Sequence, residues 1–558
     1  MLLAHGVITD DQLRIALREQ AHTAYPLGKQ LLQLGFLTES TLRDVLSAST
    51  GTQSIDLSQT IADAEALALV PEAQARRHGL VPLYWNEADR QLTIAIADIY
   101  DIVALDRLHA ALPGIQICPL LAGEGDIARA LDQYYGFELS IEGILAEIET
   151  GRVDHRTLAS NGQYDQPIVR LIDALMTDAV KRDASDIHFE PEAAFLRIRY
   201  RIDGILRQIR VLHKSCWAAM AVRIKVMAKL NIAETRAPQD GRISLTVRGY
   251  PVDFGVSSQP TLHGENIVLR ILDRHKGIVP LEQLGLADPQ LASLKAMIGR
   301  PEGIILFTGP TGSGKTTTLY SILNHINTEG INIMTLEDPV EYPMPSIRQT
   351  SVSEASKLDF ANGIRAMMRQ DPDVILVGEV RDAETAEMAF RAAMTGHQVY
   401  TTLHTSSAIG AIPRLLDLGI VPDILAGNII GIVAQRLVRR LCPQCRCPRA
   451  PHPHEQKLIE QLAGWHGQPL FDAIGCPACD QQGYQGRLAI MELIRMDADL
   501  DELLAHRVTG RELLKAARTK GFHSLAEDGV RRVLDGQTTL EELARVVDLF
   551  GHGFDVCH

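Results

Sequence analysis

The sequence predicts a multi-domain α/β protein, and three observations carry that reading. Its 558 residues suffice for three or four cores at roughly 150 residues each. Beyond residue 285, apolar runs of strand length alternate with amphipathic helical stretches, the pattern of a parallel sheet covered on both faces. Hydrophobic residues at 46%, charged residues at 22% and a mean hydropathy of zero are globular values, which exclude a collagen-like, coiled-coil or wholly disordered chain.

The opening, Met1-Leu2-Leu3-Ala4-His5-Gly6, has neither a basic flank nor an apolar run of roughly 7 to 15 residues, so no signal peptide is expected. The most apolar later stretch, Leu418 to Gln435, is interrupted by Pro422, Asp423 and several glycines, and about 20 apolar residues are needed to span a bilayer. The chain is therefore expected to be cytoplasmic and to meet a membrane only through partners. Residues 1–52 hold two similar helical phrases, Leu2-Leu3-Ala4-His5-Gly6-Val7-Ile8-Thr9 and Leu31-Leu32-Gln33-Leu34-Gly35-Phe36-Leu37-Thr38, a repeat with a period of 29. In each, a glycine ends one helix and a threonine caps the next, with Thr9 and Gln12 as a capping box. Over 66–140, short strands such as Leu92-Thr93-Ile94-Ala95-Ile96-Ala97 mix with short helices, a small α+β module.

Residues 141–166, with a polar stretch from Gly151, read as a linker. A further domain over 167–275 opens with a helix from Ile168 to Lys181 and continues in alternating strands, with Asp203-Gly204 as a hairpin turn after Leu196 to Ile202. The last domain, 285–549, ends in helices with capping boxes at Thr509/Glu512 and Thr539/Glu542.

Within that domain, the buried-strand run Gly303-Ile304-Ile305-Leu306-Phe307-Thr308 leads into Gly309-Pro310-Thr311-Gly312-Ser313-Gly314-Lys315-Thr316 and a helical pattern from Thr317, a complete Walker A sequence in its required context. The glycines let backbone N–H groups turn inward on a β-phosphate at the positive end of the following helix. Lys315 is expected to neutralise the β- and γ-phosphates, and the Thr316 hydroxyl to meet Mg2+. ATP and Mg2+ are thus the expected substrate and cofactor.

Fifty-five basic against sixty-nine acidic residues leave a net charge of -14, which argues for protein partners, and no nucleic-acid partner is expected. Of eight cysteines, five fall between Cys442 and Cys479. Cys442-Pro443-Gln444-Cys445 and Cys476-Pro477-Ala478-Cys479 are two C-x-x-C knuckles, a set suited to a closed tetrahedral Zn2+ site, with Cys447 as a spare or alternative thiol.

Three segments after the Walker A sequence narrow the task. Met334-Thr335-Leu336-Glu337-Asp338-Pro339-Val340-Glu341-Tyr342, Asp371-Pro372-Asp373-Val374-Ile375-Leu376-Val377-Gly378-Glu379-Val380-Arg381-Asp382 and Thr395-Gly396-His397-Gln398-Val399-Tyr400-Thr401-Thr402-Leu403-His404-Thr405 resemble the acidic box, Walker B segment and histidine box of the ATPases of type II secretion and type IV pilus assembly. The resemblance covers roughly residues 66–545. It implies a RecA-like P-loop ATPase domain with a zinc-binding tetracysteine insertion at 440–485, a PAS-like α+β second N-terminal domain at 167–275, and helical and α+β N-terminal modules.

Hydrolysis needs a carboxylate to orient and deprotonate water, another near Mg2+, and a donor that senses the γ-phosphate. The resemblance assigns these to Glu341 as base with Glu337 as runner-up, to Glu379 on the metal side, and to His404, with His397 a weaker alternative. It further implies a hexameric ring in which Arg236, Arg242 and Arg270 of the preceding domain approach the phosphates, and inner-membrane platform proteins as partners. The N-terminal repeat resembles a tandem module that binds cyclic di-GMP. Its first copy lacks the opening Arg-Leu-Gly, and its second has Pro26-Leu27-Gly28 and Ser49 in place of the closing Gln, so docking rather than dinucleotide binding is expected. The expected function is an ATP hydrolase that drives pseudopilus or pilus assembly. The alternative is a DNA-uptake or DNA-translocating ring ATPase, which the charge balance and the absence of a basic, aromatic strip oppose.

Overall fold

The computed structural model describes residues 7–23, 27–38, 53–98, 101–135, 141–150, 167–273, 278–352 and 358–549, with isolated positions among the first fifty. It divides into two compact units, Met1–Arg274 and His275–His558.

The first unit begins with the helix Asp10–Thr23, whose predicted capping box forms: Thr9 N–H donates to Gln12 Oε1 at 2.9 Å and Gln12 N–H to Thr9 Oγ1 at 3.3 Å. The second phrase repeats the cap, Thr41 N–H donating to Thr38 Oγ1 at 3.2 Å. Ile8, Ala16, Leu31 and Leu37 form a small shared core. Pro26 and Ser49 lie outside the described residues. Strand β1 (Thr60–Ile61) leaves the module that follows, in which β2 (Leu80–Asn86), β3 (Gln91–Ile96) and β4 (Gln116–Leu121) form one sheet in that order. The β3–β4 pair is parallel, so its connection must cross over, and the helix Ile102–Ala111 does so.

The expected linker is corrected over its first part, because Ile141–Thr150 is a helix. Ile141, Ile144, Leu145 and Ile148 recur at helical spacing and pack on the core of the next domain. Glu147 receives both hydrogen bonds of a fully buried Arg170 guanidinium end, at 2.8 and 2.9 Å. Residues 151–166 lie outside the described residues.

Strands β5 (Ala184–Pro191), β6 (Phe195–Ile202), β7 (Ile205–His213), β8 (Gln239–Val247), β9 (Tyr250–Thr261) and β10 (Gly264–Asp273) make a sheet of order β1-β8-β9-β10-β5-β6-β7, antiparallel except at β1–β8. Alternation sets its faces: Leu196, Ile198, Tyr200 and Ile202 are buried, while Arg197, Arg199 and Arg201 point the other way. The β6–β7 hairpin turns at Asp203 and Gly204, both at positive φ as a type I′ turn requires.

In the second unit, β11 (Gly303–Thr308), β12 (Ile333–Glu337), β13 (Arg348–Ser351), β14 (Val374–Val377), β15 (Gln398–Leu403) and β16 (Ile429–Leu441) are mutually parallel where they pair; after the small β17 (Arg446–Arg449) and β18 (Leu470–Ala473), β19 (Tyr484–Arg495) closes the sheet as an antiparallel edge. The order is β13-β12-β14-β15-β11-β16-β19. Both faces are covered, as the continuous apolar strands predict. Ile304, Leu306, Ile375, Val377 and Val399 enter one core, and Ile305, Phe307, Leu376, Tyr400 and Val433 the other. The apolar stretch before Gln435 is a turn, the short helix Pro422–Leu425 and β16, and among the described residues no helix is long and apolar enough to cross a membrane.

Four helices end the described residues: Ala498–Ala505, Gly510–Thr519, Leu525–Leu534 and Leu540–Val546. The Thr509/Glu512 box forms in both directions. At Thr539 only half of it does. Thr539 Oγ1 accepts the Glu542 N–H at 3.1 Å, but the fully buried Glu542 carboxylate turns to Arg439 and Arg545. A carboxylate without solvent takes these two cations, together with the Arg439 N–H at 3.0 Å, in preference to the amide of its own cap.

Candidate active site and four-cysteine cluster

Parallel strands deliver their C-terminal ends to one edge, where open α/β sheets bind ligands. At that edge β11 runs into the phosphate loop, and the helix Lys315–Ile326 begins at its far end. Two glycines are obligatory by contact as well as by positive φ. A Cβ on Gly309 would sit 2.6 Å from Gln435 O and from Ser313 Oγ, and one on Gly314 would sit 2.7 Å from Gln435 Nε2. Gln435 also accepts the buried Thr318 hydroxyl at 2.8 Å, so β16 forms the floor of the loop.

The loop is shaped for an anion. Among the described residues, Ser313 Oγ is buried with no hydrogen-bond partner, and Lys315 Nζ donates only to carbonyls of its own loop, Gly309 O at 2.8 Å and Pro310 O at 3.0 Å. Burial, with Arg436 adding to it, pulls the Lys315 ammonium below its ordinary range, while Glu379 opposes that shift. A phosphate supplies the negative charge and the acceptor oxygens that these groups lack. Pro310, Thr311 and Gly312 lie on the exposed lip of the loop, and Thr316 and Thr317 are half-buried in the first turn of the helix.

Glu379 follows β14, and His404 follows β15; their side chains meet, with His404 Nε2 3.1 Å from Glu379 Oε2. Arg381 pairs with the other Glu379 oxygen and lies 3.7 Å from Asp338. Partial burial works against ionisation of Glu379, but Arg381 and His404 outweigh it and hold the carboxyl below its ordinary range. Glu341 is half-buried on the irregular segment after β12. Its charge adds to burial and to Glu337 in pushing the Tyr320 hydroxyl well above its usual range. Glu337 itself is enclosed: it accepts from Tyr320 Oη, from Thr335 Oγ1 at 2.5 Å and from Gln349 Nε2 at 3.3 Å. His397 is not brought to this edge. It precedes β15, six residues long, at the opposite end from His404, with Nδ1 2.9 Å from Ala392 O.

Two site residues escape sequence reasoning. Arg436 reaches the loop, its Nη1 3.1 Å from where a Gly309 Cβ would stand, and Gln435 floors it. Their signal is the polar pair Gln435-Arg436 that ends the apolar first half of β16, Ile429 to Ala434.

The three arginines belong to the first unit. Arg242 donates to Asp253 at 2.8 Å, and Arg270 to Asp186 at 3.3 Å. Arg236 is exposed on a segment whose backbone is fixed by Glu234, which accepts Arg236 N–H at 2.6 Å.

The second candidate site of the His275–His558 unit is the thiol cluster. Cys442, Cys445, Cys476 and Cys479 bring their sulfurs within 4.8 Å of one another, with Cys442–Cys476 at 3.9 Å and Cys445–Cys479 and Cys476–Cys479 at 3.8 Å. Four sulfurs at about 2.3 Å from one ion would be separated by about 3.8 Å, so the cluster has the dimensions of a tetrahedral metal cage. Backbone N–H groups of Cys476 and Gly483 both donate to Cys479 Sγ at 3.2 Å. Cys447 is exposed on β17 and stands outside the cluster.

Against known proteins, the profile of the family described as type II/IV secretion system protein matches residues 161–545, and that of the MshEN domain matches residues 50–141. The latter falls on the α+β module and leaves the helical repeat largely outside it. The chain is 39% identical over 562 residues to the type IV pilus assembly ATPase PilB of Myxococcus xanthus, covering 97% of each. It is 48% identical over 384 residues to the type II secretion system protein HxcR of Pseudomonas aeruginosa, covering 69% of this chain and 78% of that one. It is 39% identical over 498 residues to the type II secretion system ATPase E of Vibrio cholerae, covering 87% and 98%. Among solved structures, the Legionella pneumophila ATPase DotB shares the fold, with a TM-score of 0.51 at 23% identity over 67% of this chain and 94% of that one.

Proposed function

From the premise that this chain belongs to the type II/IV secretion system protein family and is a type II secretion or type IV pilus assembly ATPase, we propose that it works as a cytoplasmic hexameric ring that converts ATP hydrolysis into assembly of a pilus-like fibre on an inner-membrane platform. The observation that supports the reading best is the convergence of Lys315, Glu379 and His404 at one sheet edge beside the unpartnered Ser313 hydroxyl. In this reading the second unit is RecA-like and the domain at 167–275 is PAS-like.

The backbone of Gly309–Thr316 and the Ser313 hydroxyl hold the phosphates of ATP, and Lys315 exchanges its loop carbonyls for β- and γ-phosphate oxygens. Thr316 and Glu379 would hold Mg2+, which when bound neutralises charge developing between the β- and γ-phosphates. Arg381, paired with Glu379 and 3.7 Å from Asp338, would be the cation that Glu379 gives up in holding the metal. His404 exchanges its Nε2 contact with Glu379 for the γ-phosphate, to which it donates. Glu341 orients the attacking water and accepts its proton; Glu337, whose oxygens already accept three hydrogen bonds, is a structural acceptor. Arg236, Arg242 and Arg270 are the candidates for transition-state cations offered by a neighbouring copy.

The four cysteines hold Zn2+ as a closed structural site. The N-terminal modules dock on the membrane partner, and contact with the membrane is through that partner. Phosphate release by the full chain tests this reading. It should require Mg2+, fall by at least about 100-fold in Lys315→Ala, and not be raised by DNA. Release that is independent of Mg2+ or stimulated by DNA contradicts it.

A further inference from the structure

One buried carboxylate ties the segment after His404 to the C-terminal helices. Glu492 lies in β19 opposite Ala434 of β16 and is 4% exposed. Its Oε1 accepts the Ala408 N–H at 2.6 Å and its Oε2 the Leu525 N–H at 3.0 Å. Ala408 lies shortly beyond His404, and Leu525 opens the helix Leu525–Leu534, where the helix dipole favours an anion. Arg436 grips the same segment from the side of the phosphate loop, donating to Ser406 O at 2.7 Å, while its other end donates to Gln435 O of its own strand at 2.9 Å. Residues 406–408 are thus held by a cation through a carbonyl and by an anion through an amide.

Burial raises the Glu492 carboxyl above the ordinary range, the two N–H donors and Arg436 oppose that, and Glu527 adds to it. A carboxylate this buried is costly unless hydrogen-bonded, and each of its oxygens is used on a backbone amide of a different segment. Packing alone would be served by an apolar residue.

We infer that Glu492 is a positioning residue for hydrolysis, fixing the 405–408 segment and with it His404, and carrying the position of that segment to the helix Leu525–Leu534. The inference rests on the reading of His404 as a γ-phosphate contact. The structure also supplies a control: Asp528 anchors the same helix to the same strand by accepting the Met491 N–H at 3.0 Å, without touching the 405–408 segment.

The test uses the full chain. In Glu492→Gln, kcat should fall about 10- to 100-fold with KM for ATP nearly unchanged, whereas Asp528→Asn, at matched thermal stability, should keep kcat within about threefold of the unsubstituted protein. Hydrogen exchange gives a second readout. In the unsubstituted protein a non-hydrolysable ATP analogue should slow exchange at 405–412 and at 522–530 together; in Glu492→Gln only the first should respond. Equal loss of kcat in both variants, a response confined to 405–412 in the unsubstituted protein, or an intact response at 522–530 in Glu492→Gln overturns the inference. Unchanged turnover in His404→Ala would instead remove the reading of His404, a result the exchange measurement is independent of.

Discussion

The phosphate loop and the four-cysteine cluster sit in the same unit and are opposite kinds of site. The cluster is a closed cage: four sulfurs of like chemistry already stand at tetrahedral separations with no position left for a substrate. The phosphate loop is open, and its charged groups rest on partners within the protein. Lys315 rests on its own loop carbonyls, and Glu379 on Arg381 and His404. A permanent ligand is met by residues that have nothing else to do, whereas a substrate that must come and go is met by residues with interim partners.

Breaking the cage should have the larger effect on folding. Zinc at such a site contributes about 10 to 16 kcal/mol, so Cys442→Ser with Cys476→Ser should lose the metal and unfold the two-stranded sheet of β17 and β18, read by metal analysis and by new protease cleavage within 440–485. Full-length protein without bound zinc, resistant to protease, would show that the cage is packing alone. Lys315→Ala should leave folding intact and lower turnover by about 10²- to 10³-fold, the usual effect of removing one preorganised donor. A loss of thermal stability as large as the loss of activity would erase the contrast between the two sites.

Acid should separate the sites more gently. The Glu379 carboxyl is held below its ordinary value of 4.5, so its pairing stabilises the fold above that pH and the contribution is lost as pH falls below it. Glu379→Gln should flatten the acid limb of thermal stability, and an unchanged limb would mean that the pairing contributes nothing. Arg236→Ala is a cleaner test of an arginine supplied by a neighbour than Arg242→Ala, because Arg242 compensates the buried Asp253 and its removal destabilises the sheet. A loss of kcat with unchanged melting is expected for Arg236→Ala. Smallest of all, cyclic di-GMP should leave both melting and turnover unaltered; a rise in melting temperature would restore a binding role to the repeat.

How much of this was legible in the sequence depends on how local each feature is. The phosphate loop, the two C-x-x-C pairs, the Asp203-Gly204 hairpin and the Thr9 cap are each decided by neighbours along the chain, and the structure forms them. The helix Ile141–Thr150 was also legible in its apolar spacing, but the polar run after it masks the periodicity. Features set by contacts distant in sequence were not legible. Glu542 leaves its expected cap for Arg439, Arg436 reaches the phosphate loop from β16, and Glu492 spans two segments that only the folded sheet brings together. His397 and His404 look alike in sequence, yet a six-residue strand between them puts them at opposite ends.

The central claim is that the edge carrying Lys315, Glu379 and His404 hydrolyses ATP with Glu341 as base. Glu341→Gln in the full chain tests it most directly, by ATP binding and phosphate release measured on the same protein. The account predicts retained binding with turnover reduced by at least about 100-fold. Turnover within about twofold of the unsubstituted protein would contradict it.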